Sequence, residues 1–245
     1  MRLTTRAIVC ALRTHGEHGA IVRLMTPGEG LVAAYVRGAG GRRMRPMLIG
    51  GNVVQAQLSA RTDSQLPHAA LELLHSRGPL LSEPIPSAAI EWATVLTAAA
   101  LPEGQSYPRL YALLDGLLEA IEAAPSAAGW GAALVQYELL LLAEMGFGLD
   151  LDTCAVSGSR DDVVAVSPAS GRAVSALHAE PYAEKLFPLP AFMRAGGRGT
   201  WEDIAQGLDI TGHFMARDIL TGRSAHLLDA RARLVERLRR AGGLA

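Results

Sequence analysis

The first 80 residues alternate short apolar runs with turn residues. The runs are Ala7 to Arg13, Ala20 to Met25, Leu31 to Val36, Val53 to Leu58 and Ala69 to Leu74, with Pro27-Gly28, Gly38 to Gly41 and Gly50-Gly51 between them. Runs of this length bounded by Pro and Gly read as strands, so the region predicts a small five-stranded barrel. Ala69 to Leu74 fits a helix equally well on periodicity alone.

The pattern changes after Pro84 and Pro86. Ser87 is placed to cap a helix with Glu91 in its first turn, and the next break is Pro102 to Gly104. Tyr107-Pro108 opens a second helix, in which Leu110, Leu113, Leu114, Leu117 and Leu118 have helical spacing, ending near Pro125. A third begins near Ser126 and sets Trp130, Leu134, Tyr137, Leu141 and Met145 along one stripe until Gly146 and Gly148 stop it. Residues 149 to 175 return to short β-like runs, Val163 to Val166 and Arg172 to Ser175, joined by a hairpin tip at Pro168 to Gly171. Helical pattern resumes at Thr200, where Glu202 and Asp203 favour the first turn. Leu227 to Arg240 reads as an amphipathic helix with Leu227, Leu228, Leu234, Val235 and Leu238 on its apolar side. The fold class is therefore α+β and multidomain: a barrel over 1–80, then a mainly helical domain over 81–245 with a small hairpin region at 149–190.

Charge sharpens this division. The 23 basic and 24 acidic groups nearly cancel over 245 residues, but residues 1–61 hold nine arginines against Glu17 and Glu29, a balance of plus seven. Residues 62–229 hold nine basic groups against 21 acidic ones, and residues 230–245 hold five arginines against Glu236. A basic head on an acidic body suits a protein that presents one end to a polyanion. The densest segment is RGAGGRRMRP, Arg37 to Pro46, with four arginines and three glycines in ten residues. Arginine forks engage phosphate bidentately and glycines allow close approach, so Arg37, Arg42, Arg43 and Arg45 are the first candidates for nucleic-acid contact. Arg13, Arg23 and Arg61 are weaker members of the same set. The competing reading of the segment is a solvated hairpin tip.

Several chemistries are excluded or weakly supported. Lys185 is the one lysine, and without a glycine loop before it neither a Walker A site nor a Schiff-base mechanism is available. Gly38-Ala39-Gly40-Gly41 resembles the start of a dinucleotide loop, but the third glycine would fall at Arg43. His15-Gly16-Glu17-His18 reads as a turn between strands rather than a metal site. Asp150, Asp152, Asp161 and Asp162 read as solvated acidic loops. Trp130, Tyr137 and Phe147 read as core. Cys10 and Cys154 are too few for a disulfide framework, which fits a reducing compartment. The N-terminus makes a poor signal peptide and Trp130 to Met145 is too short to span a bilayer, so no membrane is expected and the protein is expected in the cytoplasm.

Three stretches carry a resemblance to the RecO family of bacterial recombination mediators: Gly16 to Asn52, Tyr137 to Gly158 (YELLLLAEMGFGLDLDTCAVSG), and VSPASGRAVS followed by YAEKLFPLP within Val166 to Pro190. The resemblance implies an oligonucleotide-binding (OB) barrel followed by a helical domain. It further implies binding of single- and double-stranded DNA, annealing of complementary strands, and loading of recombinase with RecR onto DNA coated by single-stranded DNA-binding protein, with nucleoid association during repair. No catalytic residue and no cofactor is implied.

Two departures stand out. Many family members hold zinc with four cysteines beginning with CxxC at the position of Cys154 to Ser157. Here Ser157 replaces the second cysteine and none follows, so zinc is expected to be absent and the region 149–190 to be held by packing. Some relatives also capture the acidic C-terminal tail of single-stranded DNA-binding protein through basic residues just before Tyr137-Glu138, where this chain has Ala133, Leu134, Val135 and Gln136. The rival functional readings are a scaffold whose basic loop binds an acidic protein partner, and a nuclease, for which the head offers only Glu17 and Glu29.

Overall fold

The computed structural model describes residues 2–62, 65–124 and 126–244. It comprises two compact units, residues 1–122 and 123–245; Pro125 lies outside the described residues.

The first unit begins with strands β1 (Arg2–His15), β2 (Gly19–Thr26), β3 (Gly30–Arg37), β4 (Val53–Ser59) and β5 (His68–His75). They form a closed barrel in the order β1-β2-β3-β5-β4, the OB order. Each strand contains one of the apolar runs. The ambiguous fifth run is a strand because it turns Ala69, Leu71 and Leu73 inward at every second position. β1 serves two partners. Arg2 to Ile8 pair with β4, and from Ile8 to His15 the strand pairs with β2, with a bulge at Cys10. Ala7, Val9, Val22, Leu24, Ala34, Val36, Val54 and Leu58 fill the interior.

The arginine-rich connection departs from the expected hairpin. β3 and β4 are not neighbours in the barrel, so residues 38–52 cross over between them. Ala39 and Leu48 are buried and Met44 packs beside them against the barrel core. These three apolar side chains hold the segment down, while Arg42, Arg43 and Arg45 between them stay exposed. Asn52 closes the crossing: its amide donates to the Pro46 carbonyl at 2.7 Å and its side-chain oxygen accepts from the Arg77 backbone at 2.8 Å.

Helices α1 (Pro84–Ala100) and α2 (Pro108–Ala123) complete this unit. α1 starts earlier than Ser87. Glu83 occupies the N-cap, and Pro84 and Pro86 sit in the first turn, where the missing N–H groups have no intrahelical partner to lose. The backbone of Ser87 donates to the Glu83 carbonyl at 2.9 Å, inside the helix. α1 packs on β1.

The second unit is built on α3 (Gly131–Glu144), preceded by a one-turn 3-10 helix capped by the Ser126 hydroxyl, which accepts from the Ala128 N–H. Trp130, Leu134, Tyr137 and Leu141 are buried, as the stripe predicts. Phe147 is not core: it is 43% exposed. Gly146, at φ +87°, ends the helix, with the Phe147 N–H returning to the Leu142 carbonyl at 2.8 Å, so Phe147 leaves the stripe. Strands β6 (Asp150–Cys154), β7 (Val163–Val166), β8 (Arg172–Ser175) and β9 (Phe187–Pro188) make a sheet in the order β6-β8-β7-β9. The expected β7–β8 hairpin is its centre. β6 is too polar and β9 too short to register as apolar runs. Two single-turn helices, α4 (Ala176–Ala179) and α5 (Phe192–Ala195), lead to α6 (Trp201–Phe214) and α7 (Leu227–Ala241). A capping box between Thr200 and Asp203 starts α6. Among the described residues no helix is long and apolar enough to cross a membrane.

A buried ion pair ties three of these helices together. Arg231 of α7 donates to Glu138 of α3 at 3.0 and 2.8 Å and to the Leu208 carbonyl of α6 at 2.7 Å. The Thr211 hydroxyl also donates to Glu138. Gly212 of α6 makes room, since a Cβ there would meet the Arg231 guanidinium. Removing one partner leaves an uncompensated buried charge. Arg231→Met is therefore expected to lower unfolding stability by about 3–5 kcal/mol, and the Arg231→Met/Glu138→Leu double variant by clearly less, in urea titrations followed by circular dichroism.

Candidate nucleic-acid interface

Strand register organises the outer surface of the barrel. Arg2 faces Ser59, Ser59 faces His68, His68 faces Tyr35, Tyr35 faces Ile21 and Ile21 faces Arg13. Their strand neighbours Leu58, Ala34, Val36, Ala20 and Val22 are buried in the interior, so all six members of the row point outward. Because Arg2 and Arg13 both lie on β1, this track winds once round the closed barrel, and only neighbouring members share a face. In order it carries an arginine, a serine, an imidazole, a phenol, an isoleucine and a second arginine.

Tyr35 is held by its surroundings. Its ring lies over Gly19 of β2, where a Cβ would come within 2.2 Å of the hydroxyl oxygen; glycine is what permits this approach. The His15 and His68 rings stand nearly perpendicular to it, at centroid distances of 6.0 and 5.3 Å and interplanar angles of 81° and 85°. Sequence inspection finds Tyr35 as an isolated aromatic and does not single out His68, Arg2 or Ser59. Cross-strand register brings them together, and no local spacing encodes it.

The candidate arginines divide into two groups. Arg37 ends β3 opposite Gly19, and the Ala39 N–H donates to the His18 carbonyl at 3.2 Å, drawing the start of the crossover to the β1–β2 turn. Arg13, Arg37, Arg42, Arg43 and Arg45 are exposed and face no carboxylate among the described residues. Arg61 is exposed just past β4, where it lines a hollow with Arg2, Ser59 and His68. Arg23 differs: its guanidinium donates to the Ala98 carbonyl at the end of α1 and, at 2.9 Å, to Glu103. Arg6 is likewise taken, by Asp115 of α2 at 2.5 Å. Buried Arg77 donates to the Gly51 carbonyl at 2.6 Å and lies 3.4 Å from Glu122. Burial lowers its pKa and the acids of α2 oppose that shift. The helices thus neutralise one side of the head and leave the track and the crossover free.

His15 to His18 form the β1–β2 turn, with Gly16 at φ +67°. In the second unit Asp150 faces Arg172 at 3.5 Å and Asp152 faces Arg160 at 3.8 Å. Around Cys154 the donor set is one thiol, two hydroxyls and one imidazole. The Ser175 N–H donates to the sulfur at 3.3 Å, and the Ser175 hydroxyl bonds His178 Nδ1 at 3.0 Å. Hydrogen bonds from Ser157 and then Ser175 draw the Cys154 thiol down to about 5, against the opposing effect of burial. Serine hydroxyls are not zinc ligands of the structural kind, so these residues do not fit a four-ligand tetrahedral centre. Cys10 is the opposite case, a buried thiol pushed up to about 12.

Comparison with known proteins agrees with this architecture. The family model "Recombination protein O N terminal" matches residues 1–76 and "Recombination protein O C terminal" matches residues 82–225. A protein of Caulobacter sp. (strain K31) named DNA repair protein RecO is 42% identical, with 100% of both chains covered. Proteins of the same name from Rhodospirillum centenum and Cereibacter sphaeroides (strain ATCC 17029 / ATH 2.4.9) are 41% and 39% identical, covering 98% and 94% of this chain and 96% and 95% of their own. With an OB barrel ahead of a helical unit and similarity over the whole length, the chain belongs to the RecO family.

Proposed function

We propose that this protein is a non-enzymatic DNA repair and recombination mediator whose barrel binds the phosphate backbone of single- and double-stranded DNA. The observation that carries the reading is the division of the head's arginines. Arg6 and Arg23 are paired internally, whereas Arg13, Arg37, Arg42, Arg43 and Arg45 are exposed without a carboxylate. The naming of the relatives as DNA repair proteins supports the same reading. Annealing follows from charge: bringing two strands together costs electrostatic repulsion, arginines offset it, and phosphate contacts leave base edges free to pair without reading sequence. Loading recombinase with RecR onto DNA coated by single-stranded DNA-binding protein, and nucleoid association during repair, belong to the same proposal by family membership.

The rival is a scaffold whose arginines meet an acidic protein surface. Filter binding with a single-stranded oligonucleotide at moderate salt separates the two, because a scaffold retains none. For the phosphate surface itself, the Arg42→Ala/Arg43→Ala/Arg45→Ala variant is expected to reduce the slope of log affinity against log salt by about two to three. An unchanged slope would show that the crossover does not touch DNA.

We also propose that the region 149–190 folds without zinc, held by the bonds around Cys154. Elemental analysis of purified protein is expected to find far less than one zinc per chain, and a stoichiometric amount would contradict this. Because the Cys154 thiol is depressed in the folded state, the stability it contributes is full above the ordinary thiol pKa and is lost as pH falls through about 5. The stability difference between wild type and Cys154→Ser should therefore shrink as the pH is lowered from about 9 to about 5 in urea titrations. A difference that grows over this window would refute the assignment.

A further inference from the structure

The outer surface of the barrel carries exposed arginines and, around Tyr35, a cluster of rings, and these suit different parts of a nucleic acid. Arginines neutralise phosphates of single strands and duplexes alike. A ring accepts a base only when that base has left its own stack.

Tyr35 is placed for the second task. Its ring is partly exposed on the outer face, while Ala34 and Val36 on either side point into the core. Packing over Gly19 fixes its position, which lowers the entropy lost when a base stacks on it. His15 and His68, both exposed, stand at its two sides within 6.0 and 5.3 Å. Ile21 continues the apolar surface along the row towards Arg13. No carboxylate belongs to the row.

Covering a strand glycine is a structural role that aromatic residues can play. That role accounts for the position of the ring over Gly19 but not for two exposed imidazoles beside it or for exposed Arg37 two residues further along β3, on the same face.

We infer that Tyr35, flanked by His15 and His68, is a stacking platform for one unpaired base and biases the barrel towards single-stranded DNA. The inference rests on the DNA-binding reading above and adds to it a contact that phosphate neutralisation does not supply.

The test compares wild type, Tyr35→Leu and Tyr35→Phe against three fluorescein-labelled ligands: oligothymidylate, a strand of the same length made of abasic units, and a duplex. Wild type is expected to bind oligothymidylate about tenfold more tightly than the abasic strand. Tyr35→Leu still covers Gly19, and it should lose that factor while its affinities for the abasic strand and the duplex stay unchanged. Tyr35→Phe should behave as wild type. Equal binding of oligothymidylate and the abasic strand by wild type, or a Tyr35→Leu protein weakened equally towards all three ligands, overturns the platform and leaves the phosphate reading standing. Wild type that binds none of the three overturns the DNA-binding reading and the platform with it. Should Tyr35→Leu fail to fold, photocrosslinking of a 5-iodouracil strand to wild type decides the matter. Attachment in the β3 peptide at Tyr35 is expected, and attachment confined to other peptides overturns the assignment.

Discussion

The barrel closes where β3 meets β5, and the first unit depends on that junction. It is narrow: Tyr35 and His68 are the register pair, and the Tyr35 N–H donates to the Pro67 carbonyl at 2.7 Å. Closure satisfies the strand edges and makes the alternation of side chains strict, because an inward position must fit a small, dry interior. Alanine, valine and leucine take those positions. Some intervening positions, such as Ile8 and Met25, are buried on the outer side, but the others are free of packing duty, and polar residues occupy outward positions on all five strands at no cost to the core. The pair that completes the barrel also belongs to the cluster of rings on the outer surface, so fold and candidate site share the same residues.

Electrostatics decide which of the many arginines remain for a partner. The acids of α2, together with Glu103, sit beside Arg6, Arg23 and Arg77 and hold them within the first unit. The others face solvent, where each charge is worth little until a polyanion displaces counterions. In the second unit the same residue type has the opposite fate. Arg231 is buried against Glu138 and Thr211, and three helices meet around it. An arginine on the polar side of an amphipathic helix and an arginine that organises a core look alike in a list of residues; burial tells them apart.

The sheet of the second unit joins side-chain hydrogen bonds to apolar packing around Cys154. Cys154 accepts hydrogen bonds at its sulfur, and its neighbours are Ser157, Ser175 and His178. Serine and histidine can bond to each other and to the backbone, and here they do. The strands around them are short, so these side-chain bonds, with the buried apolar residues Ala165, Val174 and Ala179, hold the sheet's centre.

The sequence by itself determined what depends on a few consecutive residues. The first four strands of the barrel, the β7–β8 hairpin, the breaks at Pro102 and Gly146 and the helices α2, α3, α6 and α7 follow from period, turn chemistry and caps. The arginine-rich segment was legible as charge, and the family signature as a string. Tertiary structure decided the rest. It turned the segment from a hairpin into a crossover, since Ala39, Met44 and Leu48 find cover only at the barrel core. It opened α1 at Pro84, sent Phe147 to the surface past a left-handed glycine, and removed Arg23 from the free arginines by pairing it with Glu103. It also set His68 beside Tyr35 across 33 positions of chain. The physical reason is the same in each case: local propensity acts over one or two turns, whereas partner choice between strands and the burial of a charge are settled only when the whole barrel or helix cluster closes around them.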